Sequence, residues 1–188
     1  MRIDTLKNVR RKGLTVFFSV QDLELRKVEF DVSVAPGEVD FLDSNLRQVG
    51  PIAAQGSAEL VKYSAGDIQM RGKLQVRMET DCDRCLEPAQ FDVANDLNIV
   101  FKPSDALDAE PEEAELGEGE SDVAFYEGNG VSLEDVLREQ IVLALPIKVV
   151  CKEDCLGLCP VCGENWNQRE CKCERTSTDP RWSALKQL

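Results

Sequence analysis

The stretch RGKLQVRMETDCDRCLEPAQFDVANDLNIVF, Arg71 to Phe101, decides the fold. In its first part apolar and polar residues alternate. Leu74, Val76 and Met78 fall on one side, and Lys73, Gln75, Arg77 and Glu79 on the other. In its last part Phe91, Val93, Leu97, Ile99 and Phe101 share a side. Two runs of period two around a short connection predict an antiparallel hairpin with one buried and one wet face. The connection is CDRCLEP, which places Cys82 and Cys85 at the hairpin tip.

Upstream, VEFDVSV (Val28–Val34) alternates in the same way and APGEVD after it supplies a turn. GSAELVKY (Gly56–Tyr63) reads as a weaker strand. Downstream, the composition turns to Glu, Asp, Gly and Pro from about residue 103 to about 130, with too little apolar surface to offset ordering entropy, so a loop is expected there. The period then becomes helical. Leu133, Val136, Leu137, Ile141 and Ala144 share a face, Ser132 stands at the N-cap with Asp135 three residues on, and Pro146 ends the pattern. This helix, about 132–145, is expected to cover the apolar face of the sheet. At the end of the chain, Asp179 and Pro180 start a short helix with Trp182, Leu185 and Leu188 on one face. The predicted class is α+β: an antiparallel β-sheet covered by a helix over 1–148, and a C-terminal Cys-rich zinc-binding module over 149–188.

A chain of 188 residues with 43% hydrophobic content suits one domain, or one domain with a small appendage. No run of eighteen apolar residues appears, and the N-terminal segment lacks the form of a signal peptide, so a cytoplasmic protein without membrane contact is expected. The net charge of −13 is concentrated. Ser104 to Glu139 contains thirteen acidic residues and one basic residue, Arg138, whereas residues 1–13 contain five basic and one acidic. That distribution argues against a broad basic face for nucleic acid.

The eight cysteines carry the chemistry, and histidine is absent. In a reducing compartment such residues read as metal ligands before disulfides. CPVCG brings Cys159 and Cys162 onto one metal, and Gly163 suits the left-handed turn such a knuckle needs. After eight intervening residues, Cys171 and Cys173 in CKC can close a tetrahedron from the far side. Cys151, Cys155, Cys82 and Cys85 remain, and by elimination they form a second site, although 65 residues separate Cys85 from Cys151. Two Zn2+ ions are therefore expected. Iron–sulfur ligation by the same thiolates and a redox role for Cys82–Cys85 are rivals, the latter without its usual βαβ context. A zinc deaminase is excluded: its histidine is missing, and the proline follows the cysteine in CPVC. With no histidine, nucleophile elbow or glycine-rich phosphate loop, no enzyme and no small-molecule substrate are expected.

Four blocks, CDRCLEP, EDVLREQIVLALPIKVVC, CLGLCPVCGENWNQRECKC and DPRWSALKQL, occur in that order. Together they resemble the large ribosomal RNA subunit accumulation protein (YceD) family over roughly residues 20–188. Two features depart from the family pattern: the long acidic loop, and Trp166 where Leu is expected. The resemblance implies a ribosome-biogenesis factor supporting accumulation of large-subunit (23S) ribosomal RNA. A pI near 4.5 makes a poor general RNA ligand, so the expected partner is a basic ribosomal protein shielded by the acidic loop. One alternative is direct binding of a large-subunit ribosomal RNA precursor through Lys148, Lys152, Arg169, Lys172 and Arg175. Another is a redox or zinc-storage role.

Overall fold

The computed structural model describes residues 16–105 and 122–173. The chain divides into two units. The first comprises residues up to Thr80 together with Gln90–Ile147, and the second comprises Asp81–Ala89 together with the chain from Lys148 onward. The division does not follow chain order, because the nine residues that join the two arms of the hairpin belong to the second unit.

Among the described residues, the first unit holds a six-stranded sheet, a two-stranded sheet and two helices. Its elements run β1 (Phe17–Ser19), α1 (Val20–Leu25), β2 (Val28–Val34), β3 (Arg47–Gln48), β4 (Ile52–Leu60), β5 (Ile68–Asp81), β6 (Pro88–Pro103), β7 (Asp122–Tyr126), β8 (Gly130–Ser132) and α2 (Leu133–Leu143), with the outermost residues of β5 and β6 counted in the second unit. The main sheet has the order β2-β4-β5-β6-β7, and β3 also pairs with β5. β2 lies antiparallel to β4 with Val34 opposite Ile52, and β4 antiparallel to β5 with Leu60 opposite Ile68. β5 and β6 are the arms of the hairpin read from sequence, and they occupy the centre of the sheet. Their alternation is realised. Ile68, Met70, Leu74, Val76 and Met78 are buried on β5, as are Val93, Leu97, Ile99 and Phe101 on β6.

These residues form one core with Phe30 and Val34 of β2, Ile52, Ala54 and Ala58 of β4, and Leu133, Val136, Leu137 and Ile141 of α2. α2 thus buries its apolar stripe in the same core as the sheet. Its one buried polar residue, Gln140, accepts from Asn95 Nδ2 of β6 at 3.1 Å, so no lone amide oxygen is buried there.

Three expectations are corrected, and two elements are added. Asp122–Tyr126, read as part of the acidic loop, is strand β7, which runs parallel to β6 with Ile99 opposite Asp122 and Pro103 opposite Tyr126. Tyr126 fixes it, donating its hydroxyl to Gly66 O at 2.8 Å. Ser132 is the N-cap residue of α2, but its side chain makes no capping bond. Instead Leu133 N donates to Val16 O at 2.9 Å, because β8 is paired with β1 in a small second sheet. The weak second strand begins earlier, at Ile52, and ends at Leu60, while Tyr63 adopts φ 64 in the following turn. Finally, β1 and α1 were not foreseen; Ser19 Oγ caps α1 by accepting from Asp22 N at 3.1 Å. The expected C-terminal helix, Arg175 and residues 106–121 of the expected acidic loop lie outside the described residues. Among the described residues, no helix is long and apolar enough to cross a membrane.

Candidate metal centres

All eight cysteines belong to the second unit, and they form two groups of four: Cys82, Cys85, Cys151 and Cys155, and Cys159, Cys162, Cys171 and Cys173. Within each group the Sγ atoms lie within 4.8 Å of one another. The partition is the one expected from spacing. Cys82 Sγ is 3.8 Å from Cys155 Sγ, and Cys85 Sγ is 3.5 Å from Cys151 Sγ. A tetrahedron with metal–sulfur bonds of about 2.3 Å has sulfur–sulfur edges of about 3.8 Å, so the spacing fits one Zn2+-sized ion per group. An iron–sulfur cluster places several atoms between its thiolates and holds them further apart.

Backbone hydrogen bonds bring the first group together across the long chain separation. Asp83 N donates to Val149 O at 2.9 Å, and Val149 N donates back to Asp83 Oδ2 at 2.7 Å. Leu158 N donates to Arg84 O at 3.0 Å, while Arg84 Nη1 donates to Cys155 O at 2.9 Å. The tip itself is a tight turn: Leu86 N donates to Cys82 O at 2.9 Å, and Leu86 adopts φ 61. The second group is closed by the expected knuckle. Gly163, at φ 77, donates its N–H to Cys159 O at 2.9 Å, and Cys159 N donates to Glu164 O at 2.8 Å.

The sulfurs are further held by N–H donors. Among the donors of each group is the backbone N–H two residues beyond a cysteine: Arg84 N to Cys82 Sγ at 3.5 Å, and Val161 N to Cys159 Sγ at 3.4 Å. Another is a side chain that sequence reasoning missed as a participant: Asn167 Nδ2 to Cys155 Sγ at 3.4 Å, and Trp166 Nε1 to Cys171 Sγ at 3.3 Å. Cysteine spacing carries no signal for such donors. A polar or indole residue between two ligand pairs was the only cue.

These donors shape the acidity of the metal-free thiols. Burial pushes Cys82 up, but the backbone N–H groups of Cys151, Arg84 and Cys85 outweigh it and bring the thiol down to about 6. Glu87 N–H favours the Cys85 thiolate, yet burial and the three neighbouring sulfurs outweigh it and push Cys85 up to about 12. In the second group the Trp166 indole leads the effects that lower Cys171 to about 6. Cys162 leads those that push Cys173 up to about 12. Each group therefore mixes ready thiolates with thiols that a metal must deprotonate.

The groups differ in cover. Cys82, Cys85 and Cys155 are buried and only Cys151 is exposed, whereas in the second group only Cys159 is buried. Four sulfurs around one ion leave no open position, which is the donor set of a closed structural site.

Of the cations singled out for RNA contact, Arg169 is held by Glu164 through bonds of 2.9–3.1 Å, and Lys152 lies 3.8 Å from Asp154. Lys148 and Lys172 make no ion pair among the described residues.

The chain has relatives in several bacteria and in a plant. An uncharacterized protein of Bacillus subtilis (strain 168), YlbN, is 23% identical over 175 residues, covering 91% of this chain and 93% of that protein. An uncharacterized protein of Mycobacterium tuberculosis is 33% identical over 114 residues, covering 57% of this chain and 49% of its own length, so this chain spans about half of that relative. Arabidopsis thaliana contributes the "Large ribosomal RNA subunit accumulation protein YCED homolog 1, chloroplastic", 24% identical over 144 residues, covering 64% of this chain and 44% of that one. No solved structure matches. Residues 70–188, which include all eight cysteines, all but the first two residues of β5, and β6 and α2, match the family profile described as "Large ribosomal RNA subunit accumulation protein YceD", and the chain belongs to that family.

Proposed function

We propose that this chain is a cytoplasmic ribosome-biogenesis factor that supports accumulation of large-subunit (23S) ribosomal RNA, and that it works by binding, without catalysing a reaction. Family membership over residues 70–188 carries the reading. Each four-cysteine group holds one Zn2+, which supplies a rigid cross-link and, with its four positions filled by sulfur, activates no water. Cys82, Cys85, Cys151 and Cys155 hold the first ion, and Cys159, Cys162, Cys171 and Cys173 the second.

The first contact is with a basic ribosomal protein. Between Asp105 and Glu120 there are eight acidic residues and no basic one. That run attracts Lys and Arg and repels phosphate. Two Zn2+ ions with eight thiolates add four further negative charges to a chain already at −13. Direct RNA binding by the second unit is the weaker reading, since among its described cations Arg169 and Lys152 face carboxylates and filled tetrathiolate sites add negative charge beside them. A redox or zinc-storage role sits poorly with the buried Cys82, Cys85 and Cys155.

The test measures binding of the zinc-loaded full chain to a panel of basic large-subunit proteins and to large-subunit RNA, across a salt series. Replacing the eight acids by their amides weakens protein binding and slows association, most at low salt. If that variant binds proteins unchanged while Lys148 and Lys172 prove necessary for RNA retention, direct RNA binding replaces the shielding reading.

A further inference from the structure

The two donors that reach sulfur from side chains are consecutive residues, and they serve different groups. Trp166 Nε1 points at Cys171 of the second group, and Asn167 Nδ2 at Cys155 of the first. Indole N–H can only donate, so Cys171 Sγ is the acceptor. The amide of Asn167 is equally determined. Its Oδ1 accepts from the backbone N–H of Leu156 at 3.0 Å, which fixes the nitrogen toward Cys155. The second hydrogen of that nitrogen goes to Asn165 Oδ1 at 2.8 Å, so every polar position of the side chain is in use.

The dipeptide is held in a tight turn. Gln168 N and Arg169 N both donate to Asn165 O at 3.0 Å, and Asn167 N donates to Asn165 Oδ1 at 3.0 Å. The turn is docked from both sides. Trp166 N donates to Gly157 O at 3.0 Å, and Asn165 pairs with Leu158 in a β-bridge. Asn165 Nδ2 and Gln168 Nε2 both donate to Glu87 Oε1 of the hairpin tip, at 3.3 and 2.7 Å. A shift of the turn that moves Trp166 off Cys171 therefore also moves Asn167 off Cys155.

We propose that Trp166–Asn167 couples the two tetrathiolate centres, so that a metal ion in either group helps to position the sulfur donor used by the other. The proposal rests on the reading that each group holds one metal ion. Both residues act as positioning residues, through sulfur, and neither is a ligand. Coupling of this kind is reciprocal: each ion raises the affinity for the other by the same factor, typically about 5–150-fold. Loss of one ion therefore loosens the other, and the second unit loads and empties as a whole.

Cadmium-113 tests this by site, because each tetrathiolate centre gives its own resonance and the shift responds to hydrogen bonds at sulfur. The full chain loaded with Cd2+ alone should show two such resonances. Trp166→Phe should shift the one from the second group, and Asn167→Asp the one from the first. Asn167→Asp retains an oxygen for Leu156 N and removes the donor to Cys155 Sγ and to Asn165 Oδ1, while the turn keeps the bonds of Gln168 N and Arg169 N to Asn165 O and of Trp166 N to Gly157 O. Under a chelator the two wild-type resonances should decay together. Trp166→Phe should speed loss from the first group, whose sulfurs it does not touch, by about 5-fold or more, and Asn167→Asp should do the same for the second. Two resonances that decay independently, with each substitution hastening only its own group, would overturn the coupling and leave the metal reading intact. Fewer than two tetrathiolate resonances in the wild-type chain would overturn both.

Discussion

Removal of the metal ions should unfold the second unit and leave the first folded. The reason lies in what fills each interior. The first unit has a continuous core that includes Ile52, Ile68, Met70, Leu74, Met78, Leu133, Leu137 and Ile141, all essentially without solvent exposure. The buried cluster of the second unit is Cys82, Cys85, Ala89 and Cys155, with Val149, Val150 and Leu158 only partly buried against it. At about 0.8 kcal/mol per buried methylene, one alanine and three half-covered aliphatic side chains contribute roughly 3–5 kcal/mol. A structural Zn2+ contributes about 10–16 kcal/mol in peptide models, so two ions outweigh that apolar term several-fold. The second unit, Asp81–Ala89 with Lys148–Leu188, holds 50 residues, a size at which a single hydrophobic core rarely suffices and metal ions or other cross-links commonly add the stability. Hydrogen exchange with and without a strong chelator under reducing conditions measures this unit by unit. Amides of β4, β5 and α2 should keep their protection. Those of Asp83, Val149, Leu158 and Cys159, which hold the two sites together, should exchange freely. Retained protection at these four positions after complete metal loss would refute the reasoning, and so would collapse of protection throughout β4 and β5.

Gly56→Ala should destabilise the chain by about 2 kcal/mol or more, read from denaturant midpoints, because a Cβ there would stand 2.2 Å from Arg71 O and 2.8 Å from the Phe30 ring. Tyr126→Phe should cost about 1 kcal/mol through loss of the bond to Gly66 O, with the fold unchanged by circular dichroism. Metal affinity should fall with falling pH. Cys85 and Cys173, raised to about 12, hold protons at neutral pH that the metal must displace, and below about 6 Cys82 and Cys171 become protonated as well. Proton release on titration with Zn2+, measured at pH 7 and pH 5.5, should rise as the pH is lowered; release independent of pH would contradict this.

The central hairpin was legible because its alternation runs long enough to be unambiguous, over the 14 residues of β5 and the 16 of β6. The cysteine partition was legible because two pairs lie close enough to chelate locally, leaving four for the other site. What sequence concealed was short or depended on a distant partner. β1 and β8 have three residues each, too few for a period to show, and they exist because each supplies the other's hydrogen bonds. β7 hides Val123, Phe125 and Tyr126 beside an acidic, glycine-rich run, and its partner β6 lies across that run. Ser132 is marked as a cap by composition, but in the structure it is the last residue of β8, opposite Phe17 of β1, and its side chain makes no capping bond. Trp166 and Asn167 were invisible as sulfur donors because a hydrogen bond to a ligand atom depends on the turn that aims it.

The metal sites and the acidic segment therefore separate two physical tasks within one chain. The sulfurs and their N–H donors give the second unit a shape that its apolar residues are too few to hold. That shape comes with added negative charge, since every filled tetrathiolate site is a dianion. The N–H donors turned toward sulfur, Arg84, Val161, Trp166 and Asn167 among them, soften this charge locally without reversing its sign. Among the described residues of the second unit, Arg84 donates to the carbonyls of Glu153 and Cys155 and Arg169 pairs with Glu164, both from exposed positions at the surface. On this electrostatic balance we propose that the chain is better matched to a cationic protein than to nucleic acid, because filled tetrathiolate sites and the acidic segment both repel phosphate.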